Sequence, residues 1–195
     1  IISRLKSLNY VNDELYARQI VGYYKESKGK NYIKDFLVDK KIDKDIIEVV
    51  KPALDKEKIE NKPVLAIKLP TNEIITGKES TLLSAPSALI INAIKVLSKI
   101  PDEIDLLSPT VLEPILKQRK KKKNPLQLQE VLIALSVCSV TNPVVEKALS
   151  CLDKLKNCDA HATYIVTNGD KKVLTNLGIR LTCEDKYQSD NLYDD

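Results

Sequence analysis

The sequence predicts an α/β fold: a layered α/β domain with a largely parallel sheet, preceded by a small all-helical segment. Two patterns predict it. Beyond residue 62, short β-branched runs alternate with amphipathic helices, which is typical of strands and helices that pack in layers. Before that point, apolar residues recur at helical spacing only. We therefore expect a helical segment at residues 1–58, an α/β domain at 62–187 and a frayed tail at 188–195.

The first part of the chain predicts three helices. The first covers residues 12–28 and the second residues 31–40. The third begins at Asp43, and Pro52 either kinks it or ends it early, because proline lacks the N–H that a helix interior needs. A charged stretch with little apolar content follows at residues 55–62, and it is the best candidate for a domain boundary.

The α/β part predicts strands and helices in alternation. Strands are expected at residues 64–69, 74–75, 104–107, 162–167 and 180–182. Helices are expected from 84 to 100, from 108 into a run of lysines, from 126 to 139, from 142 to about 155, and from 171 to 177. Three of the helix starts combine a capping side chain, Ser84, Ser108 or Asn142, with a proline in the first turn.

The composition excludes several classes of protein. At 43% apolar and 30% charged residues, the chain is typical of a globular domain. Its longest apolar run is far shorter than a membrane span, so no membrane partner is expected. The four cysteines form no C-x-x-C pair, which predicts a reduced, cytoplasmic protein without a zinc finger. The chain begins with Ile1 and contains no methionine, so we interpret it as a piece of a larger polypeptide.

Several short phrases follow one another between residues 62 and 187. They are Ile75-Thr76-Gly77-Lys78 with Ser80; Asn92-Ala93-Ile94-Lys95; Ser108-Pro109 with Glu113-Pro114-Ile115; Glu130-Val131-Leu132-Ile133-Ala134-Leu135-Ser136; Asp159-Ala160-His161; and Leu177-Gly178 before Leu181-Thr182-Cys183-Glu184. In that order they resemble the C-terminal part of the bacterial family known as domain of unknown function 1846.

This resemblance implies a function only in outline. Complete members of the family place a long N-terminal region, with a glycine-rich sequence like a phosphate loop, before the part matched here. The present chain would then be a substrate-side or assembly domain of a cytoplasmic protein that handles a nucleotide or a phosphometabolite. Its implied partners are that N-terminal region and a second copy of the chain. Neither a cofactor nor a reaction follows from the sequence, and whether the protein is an enzyme stays open.

A second resemblance concerns residues 1–56. The sequence from Arg4 to Ala17, followed by Gly29-Lys30, is similar to one helical repeat of the RecX regulators of recombinase filaments. It implies a non-enzymatic module that binds a protein filament. The same segment is also similar, more loosely, to the helices that precede the matched region in the unknown-function family, so both interpretations stay open.

The phrase Thr76-Gly77-Lys78 with Ser80 suggests a phosphate loop. A true loop of this kind needs a further glycine upstream, so that successive backbone N–H groups can wrap the phosphates. Asn72 or a neighbour occupies that position here. We therefore expect a tight turn that delivers Lys78 to the surface. The family resemblance makes these four residues candidates for lining a ligand cleft.

His161 is the only histidine in the sequence, so it cannot build a histidine-based metal site, and we expect no metal. It precedes the strand predicted at residues 162–167, away from the strand ends where α/β proteins usually bind ligands. A structural role is favoured, and the alternative is an acid–base or oxyanion contact at the edge of a cleft.

Residues 117–123 include six basic side chains among seven. Such a run attracts phosphate backbones at low salt. It lacks the aromatic residues on which single-stranded bases stack. We therefore expect weak, non-specific binding of nucleic acid at most.

Overall fold

The computed structural model describes residues 19, 20, 23, 44–118 and 124–184. Residues 19, 20 and 23 are helical. The remainder of the first two predicted helices, most of the lysine run and the tail lie outside the described residues. The division between a helical segment at 1–58 and an α/β domain at 62–187 therefore stays a prediction.

The core of the fold is a four-stranded sheet in the order β2-β1-β3-β4. The strands are β1 (Val64–Lys68), β2 (Ile74–Lys78), β3 (Asp159–Ala162) and β4 (Arg180–Cys183). β1 is antiparallel to both β2 and β3, and β3 is parallel to β4. The prediction of a largely parallel sheet is therefore wrong, and the sheet is mixed. The turn between β1 and β2 is too short for the crossover that parallel pairing needs.

Six α-helices lie within the described residues. They are α1 (Lys44–Glu60), α2 (Ala85–Ser98), α3 (Pro109–Lys117), α4 (Leu128–Ser139), α5 (Pro143–Leu149) and α6 (Asn168–Asn176), and a 3₁₀ helix covers Leu152–Leu155. All three predicted residues occupy N-cap positions, but only two of them form a capping hydrogen bond, because the side chain of Ser108 forms none. Ser84 accepts a bond from the backbone of Ser87, and Asn142 does so from Val144 and Val145. None of these helices is long and apolar enough to cross a membrane.

Two strand predictions are wrong. Residues 104–107 form bends, although Leu106 and Leu107 are buried in the core. The strand predicted at residues 162–167 lies earlier, at β3, whose four residues are all buried. Its small residues fit between two neighbouring strands, and such tertiary packing overrides the preference for β-branched side chains.

The sheet lies between two helical layers. Val49 and Ala53 of α1 pack on Ala66 of β1. On the opposite face, Leu65 and Ile67 join the main core with residues of α2, α4 and α5. α1 runs through Pro52 to Glu60, so the charged stretch expected at a boundary forms the last turns of a helix that packs on the sheet.

The N-termini of three helices meet at the carboxylate of Asp170. Asp170 lies in the first turn of α6 and is 2% exposed. Its Oδ1 accepts a hydrogen bond of 2.8 Å from the backbone N–H of Leu128, the first residue of α4. The hydroxyl of Ser84, which caps α2, is close enough to this carboxyl group to lower its pKa. One buried carboxyl group thus lies at three helix starts, which favour its negative charge, whereas burial disfavours that charge.

Burial raises the pKa of Asp170, while the hydrogen bonds from Leu128, Thr167 and Ser84 act in the opposite direction. Because the folded-state pKa is raised, the folded protein holds the proton more tightly than the unfolded chain does. Asp170 therefore contributes stability below the unfolded pKa of about 3.9, and this contribution is lost as the pH rises through the folded-state pKa.

We predict opposite outcomes for two substitutions of Asp170. Asp170→Asn keeps an oxygen that can accept from Leu128 but has no proton to lose. Its free energy of unfolding should therefore increase relative to that of the wild type as the pH rises from acid to neutral. Asp170→Ala leaves the Leu128 N–H unpaired and should cost about 1–3 kcal/mol. Urea denaturation at several pH values measures both. A difference between Asn and wild type that does not change with pH would contradict this account.

Candidate functional site

The phrase that suggests a phosphate loop forms part of strand β2. Thr76, Gly77 and Lys78 are its last three residues, so the expected tight turn is wrong. A Cβ atom at Gly77 would lie 2.2 Å from the backbone nitrogen of Leu89 in α2. The side chain of Asn92 donates a 2.9 Å bond to the carbonyl of Thr76. The glycine is thus needed for close packing of β2 against α2.

Lys78 and Ser80 each have a contact of their own. The ammonium of Lys78 lies 2.8 Å from Oε2 of Glu60, and this bond lowers the pKa of Glu60. The hydroxyl of Ser80 accepts bonds from the N–H groups of Leu82 and Leu83, at 3.3 and 3.0 Å, and shapes the turn that precedes α2. That these residues line a ligand cleft stays a prediction.

His161 lies inside β3 and is fully buried, whereas the sequence predicted a position ahead of the strand. It stands opposite Ala66 in the sheet register, and therefore on the face that α1 covers. Nδ1 lies 2.8 Å from the hydroxyl of Thr182, which donates a 3.0 Å bond to the carbonyl of Ala160. Since that hydroxyl has one proton, Nδ1 is the donor toward it.

The other nitrogen of His161 is the unusual feature of this face. Nε2 is buried and makes no hydrogen bond to any residue that the structure describes. Oε1 of Glu184 lies 3.5 Å away, which is an ion-pair distance if the imidazole is protonated. His161 and Glu184 can therefore share a proton if either side chain moves by a few tenths of an ångström.

Two of the predicted site residues, Thr76 and His161, lie apart in the sheet. Ala66 stands between Thr76 and His161 in one row of the sheet, so these two residues are two strands, or roughly 10 Å, apart. Among the residues that the structure describes, no group of three histidine, cysteine or acidic side chains could hold a metal ion.

A polar cavity of about 250 Å³ opens at the end of the sheet where β1 ends and where β3 and β4 begin. Its walls are formed by Lys68, Leu69, Pro70, Asn72, Lys156, Asn157, Cys158, Asp159 and Arg180. Burial, and next the charge of Asp159, raise the pKa of the Cys158 thiol. Sequence reasoning missed this site, since no motif links residues from such distant parts of the chain.

An apolar groove of about 440 Å³ follows the outer side of α4. Leu132, Ile133, Val137 and Val140 of this region and Val173 of α6 supply its aliphatic walls. The predicted helix at residues 126–139 is confirmed, but nothing in the sequence indicated that one side of it faces solvent.

Comparisons with known proteins agree with the resemblance to one family. The family model described as "Domain of unknown function DUF1846, C-terminal" matches residues 45–193. A UPF0371 protein of Fusobacterium nucleatum is 47% identical over 133 residues, which are 66% of this chain and 26% of that protein. A UPF0371 protein of Clostridioides difficile is 43% identical over 141 residues, or 70% of this chain and 28% of that protein.

The chain therefore spans about a quarter of the length of the curated relatives that it matches. Neither the family model nor these relatives favour the RecX resemblance. Most of the residues that carry that resemblance lie outside the described part of the chain.

We predict that Gly77→Ala destabilises the protein. The new methyl group would meet the backbone of α2, which cannot move as a flexible side chain would, so the loss should be about 1–3 kcal/mol in the free energy of unfolding. Gly169→Ala is the matched control, because its Cβ would meet only the side-chain oxygen of Gln127 at 3.4 Å in a helix. Equal stability of the two variants, measured by urea denaturation, would refute the packing role of Gly77.

We also predict which nitrogen of His161 carries a proton. ¹⁵N NMR of this single histidine should show a proton on Nδ1, the nitrogen that faces Thr182. Thr182→Val should leave Nδ1 without its partner and cost about 1–3 kcal/mol. Thr175→Val, at an exposed position of α6, is the control. A neutral ring with its proton on Nε2 alone would show that the Thr182 hydroxyl donates to the ring instead.

Proposed function

The chain belongs to the bacterial family defined by domain of unknown function 1846, and on that basis we propose that it is an assembly or substrate-side domain. In this proposal, another region of the same polypeptide handles a nucleotide or phosphometabolite in the cytoplasm. The observation that carries the assembly role is an apolar surface on α4. We call it the α4 surface and define it by Ile133, Val137 and Val140.

Ile133 and Val137 lie on one side of α4, and Val140 is the C-cap residue that continues this side. Their spacing of four and three residues places them in one stripe. Their exposed fractions are 58%, 66% and 83%. The opposite side of α4 is also apolar, because Val131 and Leu135 are fully buried in the core. A helix that is apolar on both sides is typically covered on both sides in the complete protein.

The occupant that we propose for the α4 surface is the N-terminal region found in the relatives. The matched part is about a quarter of those proteins, so most of their length lies elsewhere. A stripe of three aliphatic residues is small beside the roughly 800 Å² per partner that a stable interface between separate proteins buries. A region of the same polypeptide needs less area, because tethering gives it a high effective concentration.

The substrate-side role has weaker support than the assembly role. It depends on the family resemblance, since the glycine of the phrase that suggests a phosphate loop packs β2 against α2. In the proposed arrangement, the described residues form the packed core of the domain and provide the surfaces at which other groups bind. The phosphate-loop-like sequence of the complete family members would supply the nucleotide contact.

The assembly role is testable with the N-terminal region of the Fusobacterium nucleatum relative, produced separately and titrated with this chain by calorimetry. We predict saturable binding that the double substitution Ile133→Glu/Val137→Glu weakens at least about tenfold, because two aliphatic side chains lose their burial. The control is Ile59→Glu, which changes an isoleucine on α1 that is 82% exposed.

Two results would contradict the proposal. One is binding that the double variant and the control leave equally strong. The other is a dimer of this chain, measured by light scattering, that the double variant converts to a monomer. The second result would assign the α4 surface to a second copy.

A further inference from the structure

We propose that the polar cavity at the end of the sheet binds the phosphate group of a small phosphate monoester. This inference deepens the substrate-side part of the proposed function and rests on it for biological context. It does not depend on the α4 surface, which belongs to another region of the fold. Four features of the cavity carry it: backbone hydrogen bonds between its walls, an excess of cations, a lysine whose stem packs on a glycine and two amide side chains.

The walls of the cavity are fixed by backbone hydrogen bonds. The N–H of Asn157 donates to the carbonyl of Gly178 at 2.8 Å, and the N–H of Arg180 donates to the carbonyl of Cys158 at 2.9 Å. These two bonds tie the segment before β3 to the segment before β4. A ligand that enters the cavity therefore meets a preformed surface, which lowers the entropic cost of binding.

Cations outnumber carboxylates around the cavity. Lys68 is 2.9 Å from Glu48, and Arg180 is paired with Asp159. Lys156 forms no ion pair with a carboxylate in the part of the chain that the structure describes. The pairing of Arg180 is also incomplete, because one N–H of its five donates to Asp159 and its side chain is 57% exposed. This leaves a net positive charge and free donors for an anion.

The stem of Lys156 packs against Gly178. A Cβ atom at Gly178 would lie 2.8 Å from Cγ of Lys156, so the stem of the lysine packs where any other residue would have a side chain. Gly178 also has a φ of 75°, which favours glycine. The lysine stem thus lies against the backbone beside the cavity, although the residue as a whole is exposed.

Two asparagines complete the wall. Asn72 and Asn157 both have left-handed backbone conformations, with φ of 66° and 65°. Asparagine tolerates this conformation well, and its amide can donate two hydrogen bonds. A cavity of about 250 Å³ is at the small end of ligand sites. Cations, amide donors and small size together suit a phosphate group with a short organic part, or free phosphate.

The test is an NMR titration of this chain with inorganic phosphate and, separately, with glycerol phosphate, at constant ionic strength. We expect saturable shifts of the backbone N–H signals of Asn72, Asn157 and Arg180. Lys156→Ala should weaken binding about tenfold, because a charged donor is lost. Lys154→Ala is the control: it removes a nearby lysine that is exposed like Lys156 but does not line the cavity. Arg180→Lys keeps the charge but loses the planar fork, and should weaken binding several-fold.

The outcomes separate the sources of the phosphate. Tighter binding of glycerol phosphate supports a phosphate monoester as the ligand, and equal binding of both probes supports free phosphate in the same site. Shifts that do not saturate, or that lie elsewhere in the chain, would overturn the proposal. So would an equal loss of affinity in Lys154→Ala and Lys156→Ala, since that result describes a diffuse charge effect. None of these results bears on binding at the α4 surface.

Discussion

The arrangement of the fold depends on the buried carboxylate of Asp170. Three helices, α2, α4 and α6, begin around it, and each helix start has N–H groups that lack partners within its own helix. The carboxyl group of Asp170 accepts from the Leu128 N–H directly, and the nearby capping hydroxyl of Ser84 lowers its pKa. The segments before α2 and α4 are also joined, because the N–H of Ser84 donates to Leu126 at 3.0 Å. The helical layer is thereby fixed to the strand ends.

This junction also decides where a ligand can enter. In parallel α/β units, ligands usually bind beyond the carboxyl ends of the strands. Here that end of the β3/β4 pair is occupied by the protein's own groups. Asp170 is there, and Tyr164 is 3% exposed, with burial raising the pKa of its hydroxyl. The polar cavity lies at the opposite end, where β3 and β4 begin. The proposed phosphate site thus uses the end of the sheet that the core leaves open.

Local signals predicted the helices well and the sheet poorly. A capping side chain such as that of Asn142, before Pro143, bonds to residues only a few positions away, so it can be recognised in the sequence. The position of β3 depends on its neighbours in the sheet, and a segment such as Asp159–Ala162 has no strand pattern of its own. Asp170 could have been found, because Thr167 three residues earlier forms a capping signature with it. The sequence could not indicate that Lys156 and Arg180 line one cavity, because only the fold brings them together. Gly77 lies in a phrase that suggests a ligand site, but its role is the close packing of β2 against α2.

Hydrogen exchange at the Leu128 N–H tests the central role of Asp170 most directly. If the carboxylate holds the three helix starts together, this amide exchanges only when the whole domain unfolds. Its exchange free energy should then equal that of Ala66, in the middle of the sheet. Measurement on the native chain at increasing, sub-denaturing urea gives both values. A clearly lower value for Leu128, independent of urea, would show that the start of α4 opens locally and that Asp170 does not hold the junction.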